Sequence, residues 1–263
     1  MNDIARSLID HVIIACRDLE DASRNWQQLG FNLSAQGAHA SRGTLNRCIP
    51  FPNAYLELLA PNPEGCHEEF LLKTLRQREG GTSIALAMDS KETVYRSLRR
   101  SLPTIEPPVT GSREIIFENT RDRISFDVQR IAPDALWPGR FFFCGHHHPD
   151  MVYQTELFNH PNGARRLARI VHCVPNVPSV WHDALDDIGF RPISAAPDQW
   201  VIECRGVELV LAERKAVGRY VPAAMTGPLP EAPAPVLLEF ESSSEAWIAA
   251  DRANGIVLHF RGQ

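Results

Sequence analysis

The chain has 263 residues, 44% of them hydrophobic, and carries 27 Lys and Arg against 32 Asp and Glu for a formal charge of -5. That is enough length for one large domain or two smaller ones with a substantial core. The mild acidity and interspersed signs exclude the concentrated basic face that nucleic acid or an anionic membrane would need. Arg99-Arg100 and Arg165-Arg166 are too short to make one. No run of about 18 apolar residues exists. The polar start, Met1-Asn2-Asp3, lacks the basic opening and apolar stretch of a signal peptide, so a cytoplasmic location is expected. Six cysteines (Cys16, Cys48, Cys66, Cys144, Cys173, Cys204) fall singly beside apolar runs with no CxxC pair. They read as small buried hydrophobes rather than a disulfide or zinc framework.

In chain order, residues 8 to 15 are apolar and β-branched and predict a strand. Asp18 can cap a helix with Leu19, Ala22, Trp26 and Leu29 at helical spacing, ended by Gly30. Three strands are predicted next, Phe31 to Ser34, Thr44 to Phe51 and Tyr55 to Ala60, separated by Gly-, Ser- and Pro-Asn-containing turns. That order is β-α-β-β-β.

The order recurs. Thr82 to Met88 predicts a strand and Ser90 caps a helix with Val94, Tyr95, Leu98 and Leu102 inward. Strands are expected at Glu114 to Phe117, Arg123 to Ile131 and Arg140 to Cys144. A third unit opens at Arg169 to Val174, continues with a helix carrying Val180, Trp181, Ala184, Leu185 and Ile188, and echoes Leu29-Gly30-Phe31 in Ile188-Gly189-Phe190. Strands at Gln199 to Cys204 and Val207 to Ala212 follow, joined by Arg205-Gly206. After the Pro-rich connector Pro228 to Pro235, a strand at Val236 to Phe240, a helix at Ser244 to Ala253 and a strand at Ile256 to Phe260 begin a fourth, truncated unit. Duplicated units of this size cannot bury their faces alone and must pair.

Asp10-His11 with Asp18-Leu19 and Leu29-Gly30-Phe31, then Gly37-Ala38-His39, Gly43-Thr44-Leu45-Asn46 and Tyr55-Leu56-Glu57-Leu58, carry a resemblance. His146-His147-His148-Pro149-Asp150 and His160-Pro161-Asn162-Gly163-Ala164 extend it to about residue 170. The chain resembles the vicinal oxygen chelate superfamily, and within it the glyoxalase-like domain family. The resemblance implies an α+β fold of repeated βαβββ modules paired into curved mixed sheets that form a cup. Two such modules are expected in residues 1-160, and a second domain, one module plus a truncated one, in 161-263. Residues past 170 are left as a packing partner or a dimer surface, so a homodimer is one expected assembly.

An imidazole and a carboxylate on neighbouring strands need a cation between them or a hydrogen bond to each other, because a bare buried carboxylate is unfavourable. His11 and Glu57 therefore read as metal ligands, or as an ordinary hydrogen-bonded pair. A catalytic metal needs a third protein ligand and an open position. The second module offers Thr82, a poor ligand, where the first has His11; His146 is the better candidate. The expected metal set is His11, Glu57 and His146, a face suited to Fe, Mn, Ni or Zn as a divalent ion. His147 and His148 cannot point into the same cup and are expected at turns or in solvent. A competing set would add His172 and Glu208, but His11 stands 20 residues before Phe31 and His172 only 18 before Phe190.

Glu57 and His39 are the candidate catalytic residues, with His39 a loop base or a surface histidine. Thr44 and Asn46 face one side of their strand and are candidate substrate donors or turn residues. His160 is a third substrate candidate, while Pro161-Asn162-Gly163 is turn chemistry. Phe141, Phe142, Phe143, Trp137 and Tyr153 would wall a pocket or fill the core. The resemblance implies a metal-dependent lyase, isomerase or dioxygenase acting on a small substrate that chelates through oxygens. The alternative is a metal-free protein sequestering a small ligand in the same cup.

Overall fold

Alternation and capping place the elements of the first half. The computed structural model describes residues 8–117 and 120–262, so the N-terminal segment read for a signal lies outside the described residues. Strand β1 (Ile9–Ala15) leads into α1 (Leu19–Gln28), which Asp18 caps by accepting from the Asp21 amide at 2.8 Å. Then come β2 (Gly37–His39), β3 (Thr44–Pro50) and β4 (Tyr55–Pro61). A helix that the sequence reading passes over, α2 (Glu69–Gln77), buries Leu71 and Leu75. β5 (Gly80–Ala87), α3 (Lys91–Ser101), β6 (Val109–Phe117), β7 (Thr120–Arg130) and β8 (Arg140–His146) repeat the order.

These eight strands close into a barrel in the order β1-β4-β3-β2-β6-β7-β8-β5. The cup expected from paired modules is here a fully closed wall. Closure rests on a short β2–β6 contact at Ala38 and Glu114. At the opposite side β1 and β5 run antiparallel, Val12 facing Ile84. β4 pairs parallel with β1, and β8 parallel with β5.

The second half begins after the short helix α4 (Pro149–Val152) and forms an open seven-stranded sheet. It comprises β9 (Ala164–Val174), β10 (Arg191–Ala196), β11 (Gln199–Glu203), β12 (Glu208–Glu213), β13 (Ala234–Ser242), β14 (Ala246–Ile248) and β15 (Val257–Gly262). Its centre, β12-β9-β13-β15, repeats the barrel's arrangement of an antiparallel pair flanked by parallel partners.

Two predicted helices are absent from this half. The segment around Val180 forms only a 3-10 turn at Asp183–Ile188 and leaves Val180 63% exposed. Pro175 and Pro178 leave too few residues to nucleate a longer helix. The stretch from Ser244 forms β14 instead, with Trp247 stacked flat on His259 at 3.8 Å across the β14–β15 pair. The strand predicted at Phe31 to Ser34 is likewise irregular and β2 begins later, because Gly30 turns the chain in a left-handed conformation (φ 82°) and the Asn32 amide donates to the His160 ring rather than to a ladder.

One continuous core joins barrel and sheet. The barrel's outer residues Ile14, Leu56, Leu58, Ile84, Leu86 and Phe143 pack with α1, α3 and the sheet's Leu209, Leu238 and Phe240. Phe51 stacks on Phe240 with centroids 5.1 Å apart. This double coverage explains why β4 is almost wholly buried although only alternate residues point inward. The sheet's other face is filled by Ala216, Val217 and Val221, from α5 (Arg214–Val217) and the segment after it, against Val171, Val210 and Leu237.

Candidate functional site

The barrel encloses a cavity of about 300 Å³ lined by residues of most of its strands. His11, Tyr55 and Glu57 enter from β1 and β4, Thr44 from β3, Arg113 from β6, and Phe142, Cys144 and His146 from β8. The apolar share of its wall comes from Ile13, Leu59, Phe126 and Val128.

A local irregularity organises the polar end. Along β1 the step from Ile9 to His11 faces the single step from Leu86 to Ala85 on β5, so Asp10 is the extra residue of a β-bulge. The bulge lets neighbouring side chains meet: His11 Nδ1 lies 2.7 Å from Asp10 Oδ2, which is also 3.0 Å from His146 Nε2. Tyr153 donates to Asp10 Oδ1 at 2.9 Å. Burial works to raise the Asp10 carboxyl, but His146 and His11 outweigh it and hold the group far below the usual carboxylate range. Asp10 is therefore an anion that takes hydrogen bonds from two imidazoles. The His146 Nδ1 atom is buried without a hydrogen-bond partner.

The other edge of the His11 ring faces Glu57, with Nε2 to Oε2 at 3.6 Å. Tyr55 stacks on the ring at 4.5 Å and Phe142 meets it edge-on at 5.6 Å, fixing its plane. Asn46 donates to Glu57 Oε1 from β3 and turns the carboxylate. Burial would raise Glu57, yet the charges of His11, His39 and Arg113 with the Asn46 bond hold it below the ordinary range. Burial pushes the Tyr55 phenol well above its usual value, so it stays protonated. His39 sits on the cavity wall with Nδ1 3.2 Å from the Thr44 hydroxyl, and burial pushes its imidazole down to about 4, neutral at pH 7.

Of the residues singled out from the sequence, His11, Glu57, His39, Thr44 and His146 line the cavity, and Asn46 touches it through Glu57. His160 does not line it: Nδ1 accepts from the Asn32 amide and Nε2 donates to the Pro50 carbonyl, both at 3.1 Å, so both nitrogens serve the fold. Asp10 stands at one edge of the His11 ring and bridges it to His146, while Glu57 faces the other edge. The tight donor group is instead Asp10, His11, Cys144 and His146, whose nearest ligand atoms all lie within 4.8 Å of one another. His147 pairs at the surface with Asp127 and Ser125. His172 donates to the Pro138 carbonyl at 2.8 Å and Glu208 is paired with Arg169, so the competing ligand set is not assembled.

The second module supplies little at the matching positions. Across the antiparallel β1–β5 pair His11 faces Ala85 and Ile13 faces Ser83, so β5 brings no imidazole beside His11. Thr82 and Ser83 of β5 bring hydroxyls to the cavity wall, and Phe142 of β8 brings a phenyl.

Sequence reasoning missed Asp10 as a bridging anion, Cys144 as a donor and Arg113 altogether. The Asp10-His11 pair was visible, but the bulge that turns both inward leaves no mark in composition. Arg113 sits in Gly111-Ser112-Arg113, which reads as a surface turn.

A closed mixed barrel with a donor cluster shared between β1 and β8 defines the class: a vicinal oxygen chelate fold around an enclosed cavity. The description of the glyoxalase-like domain matches residues 9–187, more than half of the chain, and the chain belongs to that family. A hypothetical protein from Staphylococcus aureus is similar over 97% of this chain and 99% of its own, with 13% identity and a TM-score of 0.71. A mutant 4-hydroxymandelate synthase from Streptomyces coelicolor is similar over 91% of this chain and 72% of its own, at 10% identity and a TM-score of 0.50. A Streptomyces coelicolor methylmalonyl-CoA epimerase overlaps 54% of this chain and 99% of its own, at 19% identity and a TM-score of 0.38. At these identities the likeness concerns the fold alone. No curated protein sequence matches the chain.

Proposed function

We propose that the protein is a metal-dependent enzyme, a lyase, isomerase or dioxygenase acting on a small substrate with two adjacent oxygens. The observation that carries this reading is the buried group of Asp10, His11, Cys144 and His146, with donor atoms within 4.8 Å at the polar end of the cavity. Two nitrogens, a carboxylate oxygen and a sulfur make a set suited to a divalent zinc, iron, nickel or manganese ion, the first three best matched to the thiol. When bound, such an ion would polarise a substrate carbonyl and stabilise an enediolate-like anion.

The chain's own residues have separate roles. Glu57, ionised and oriented by Asn46, is the base that takes a proton from a substrate carbon. Its position across from His11 Nε2 also fits the carboxylate that steadies a ligating imidazole. Neutral His39 can accept a proton, and Thr44 holds its ring. The apolar wall around Phe126 and Phe142 keeps water from a reactive anion.

Metal analysis of protein purified without chelator tests the reading. About one ion per chain is expected, lost in His11→Ala and Cys144→Ala but retained in Glu57→Ala. Loss in Glu57→Ala with retention in Cys144→Ala would move the ion to the His11–Glu57 edge. No ion in the wild type after zinc, iron, nickel and manganese are supplied would sink the metal reading. Thr82, Ser83 and Phe142, which bring no further imidazole or carboxylate to the cavity wall, favour the second reading in that case, a metal-free protein that holds a small ligand in the same cavity.

A further inference from the structure

Arg113 is the one strong cation inside the barrel whose partner the fold does not supply among the described residues. It is 7% exposed, lines the cavity, and donates from Nη2 to the Cys48 sulfur at 3.5 Å. Burial works against its charge; its neighbours Cys48 and Tyr55 are a neutral thiol and a neutral phenol, and Glu57 is the ionised group that favours the guanidinium. None of these is a carboxylate within ion-pair reach: Glu57 attracts the guanidinium from a distance and gives its own oxygens to Asn46 and His11. A guanidinium taken out of water without an anion is strongly unfavourable, so such a group is held for a bound one.

The surroundings are shaped for it. Gly37 on β2 has no side chain, and a Cβ there would meet Asn46 Oδ1 at 2.4 Å and Arg113 Nη1 at 3.1 Å. The glycine therefore keeps open the lane through which Arg113 crosses from β6 towards β3. At the mouth, Arg42, Arg130 and Arg140 face a single carboxylate, Glu68, at 3.9 Å from Arg42 and 3.6 Å from Arg140. Arg140 also lies 4.2 Å over the Phe70 ring. Three cations against one anion bias the entrance towards anions and raise their local concentration.

We propose that the cavity takes a small organic acid whose oxyanion, a carboxylate or a phosphate monoester, pairs with Arg113, and that the arginines at the mouth draw it in. The planar fork of a guanidinium receives either oxyanion through two parallel hydrogen bonds. This deepens the reading of the cavity as a substrate site: the acid's reacting end faces His11 and Glu57 while its charged end lies on Arg113.

Calorimetric titration of the full chain with succinate and with its neutral match, succinamide, tests the inference. Succinate should bind at least tenfold more tightly, and added salt should weaken it. Arg113→Met should weaken succinate at least tenfold without changing succinamide, and Arg113→Lys should restore part of the loss. Inorganic phosphate displacing succinate supports an oxyanion site in general, and phosphate without effect supports a carboxylate site. Equal binding of succinate and succinamide to the wild type overturns the proposal, a comparison that needs no variant to fold. So does succinate binding unchanged in both Arg113 variants. The metal content of the same samples separates the two readings: an ion at His11 with no preference for acids ends this inference alone, and acid binding without an ion ends the metal reading alone.

Discussion

At the scale of single residues, the buried histidines divide into those that serve the cavity and those that serve the fold. His172 donates from Nε2 to the Pro138 carbonyl while its Nδ1 is buried without a partner, so a second proton would have no acceptor. Burial pushes its imidazole from 6.5 down to about 4. Above pH 6.5 neither the folded nor the unfolded chain protonates this ring, and its stability contribution is whole. Between 6.5 and 4 the unfolded chain takes the proton first and stability falls, by at most on the order of 3 kcal/mol for the full shift. His172→Gln, which keeps a donor near the Nε2 position, should flatten the fall in thermal midpoint over that window; an unchanged pH profile would remove His172 from the account. His160 is depressed to about 4 by burial in the same way and contributes in the same direction.

At the scale of elements, the motif Leu29-Gly30-Phe31 and the motif His160-Pro161-Asn162-Gly163 prove to be two halves of one clamp. The Asn162 amide donates to the Gly30 carbonyl at 3.2 Å and its side chain to the Leu29 carbonyl at 2.9 Å, closing the end of α1. Gly30 has φ 82°, and a Cβ there would lie 2.9 Å from the Asn162 backbone nitrogen. Gly30→Ala should lower stability by about 1 to 3 kcal/mol in chemical denaturation while metal content stays at the wild-type level. A neutral result would show that the clamp gives way. Asp18→Ala, which removes the cap of α1, should cost about 1 kcal/mol. Most strands of the barrel were legible because alternation and β-branching mark them, and Asp18 and Ser90 marked both helix starts. The bulge at Asp10, the helix α2 and the exposed edge strand β10 were not, since backbone irregularity and edge pairing depend on neighbours remote in sequence. The same limit hid the site: Asp10 meets His146, and Arg113 reaches the cavity beside Cys48, only when the barrel closes.

At the scale of the molecule, the barrel and the open sheet share their largest core. Phe31 and Phe51 lie against Phe240, and Leu8 bonds through its amide to the Cys204 carbonyl at 3.0 Å. We propose that residues 1-160 and 161-263, two domains by sequence pattern, unfold together. Calorimetry of the full chain should show a single transition, and the fragment 1-160 should lack a cooperative one; two separate transitions, or a fragment that folds alone, would contradict this. Among the described residues no helix is long and apolar enough to cross a membrane. The second sheet shows what becomes of such a surface when it is not a site: its equivalent face is plugged by Val217 and Val221, and its charged residues Arg169, Glu208, Glu239 and His259 pair with one another. The barrel instead keeps a cavity beside its polar cluster.

The claim at the centre of the account is that His11 and its neighbours hold a divalent ion. Cobalt(II) added to the ion-free protein reports on it directly, because thiolate ligation gives an intense charge-transfer band in the near ultraviolet. The account predicts that band at about one cobalt per chain, its loss in Cys144→Ser, and the loss of cobalt binding altogether in His11→Ala. A wild-type protein that takes up no cobalt and shows no band would contradict it.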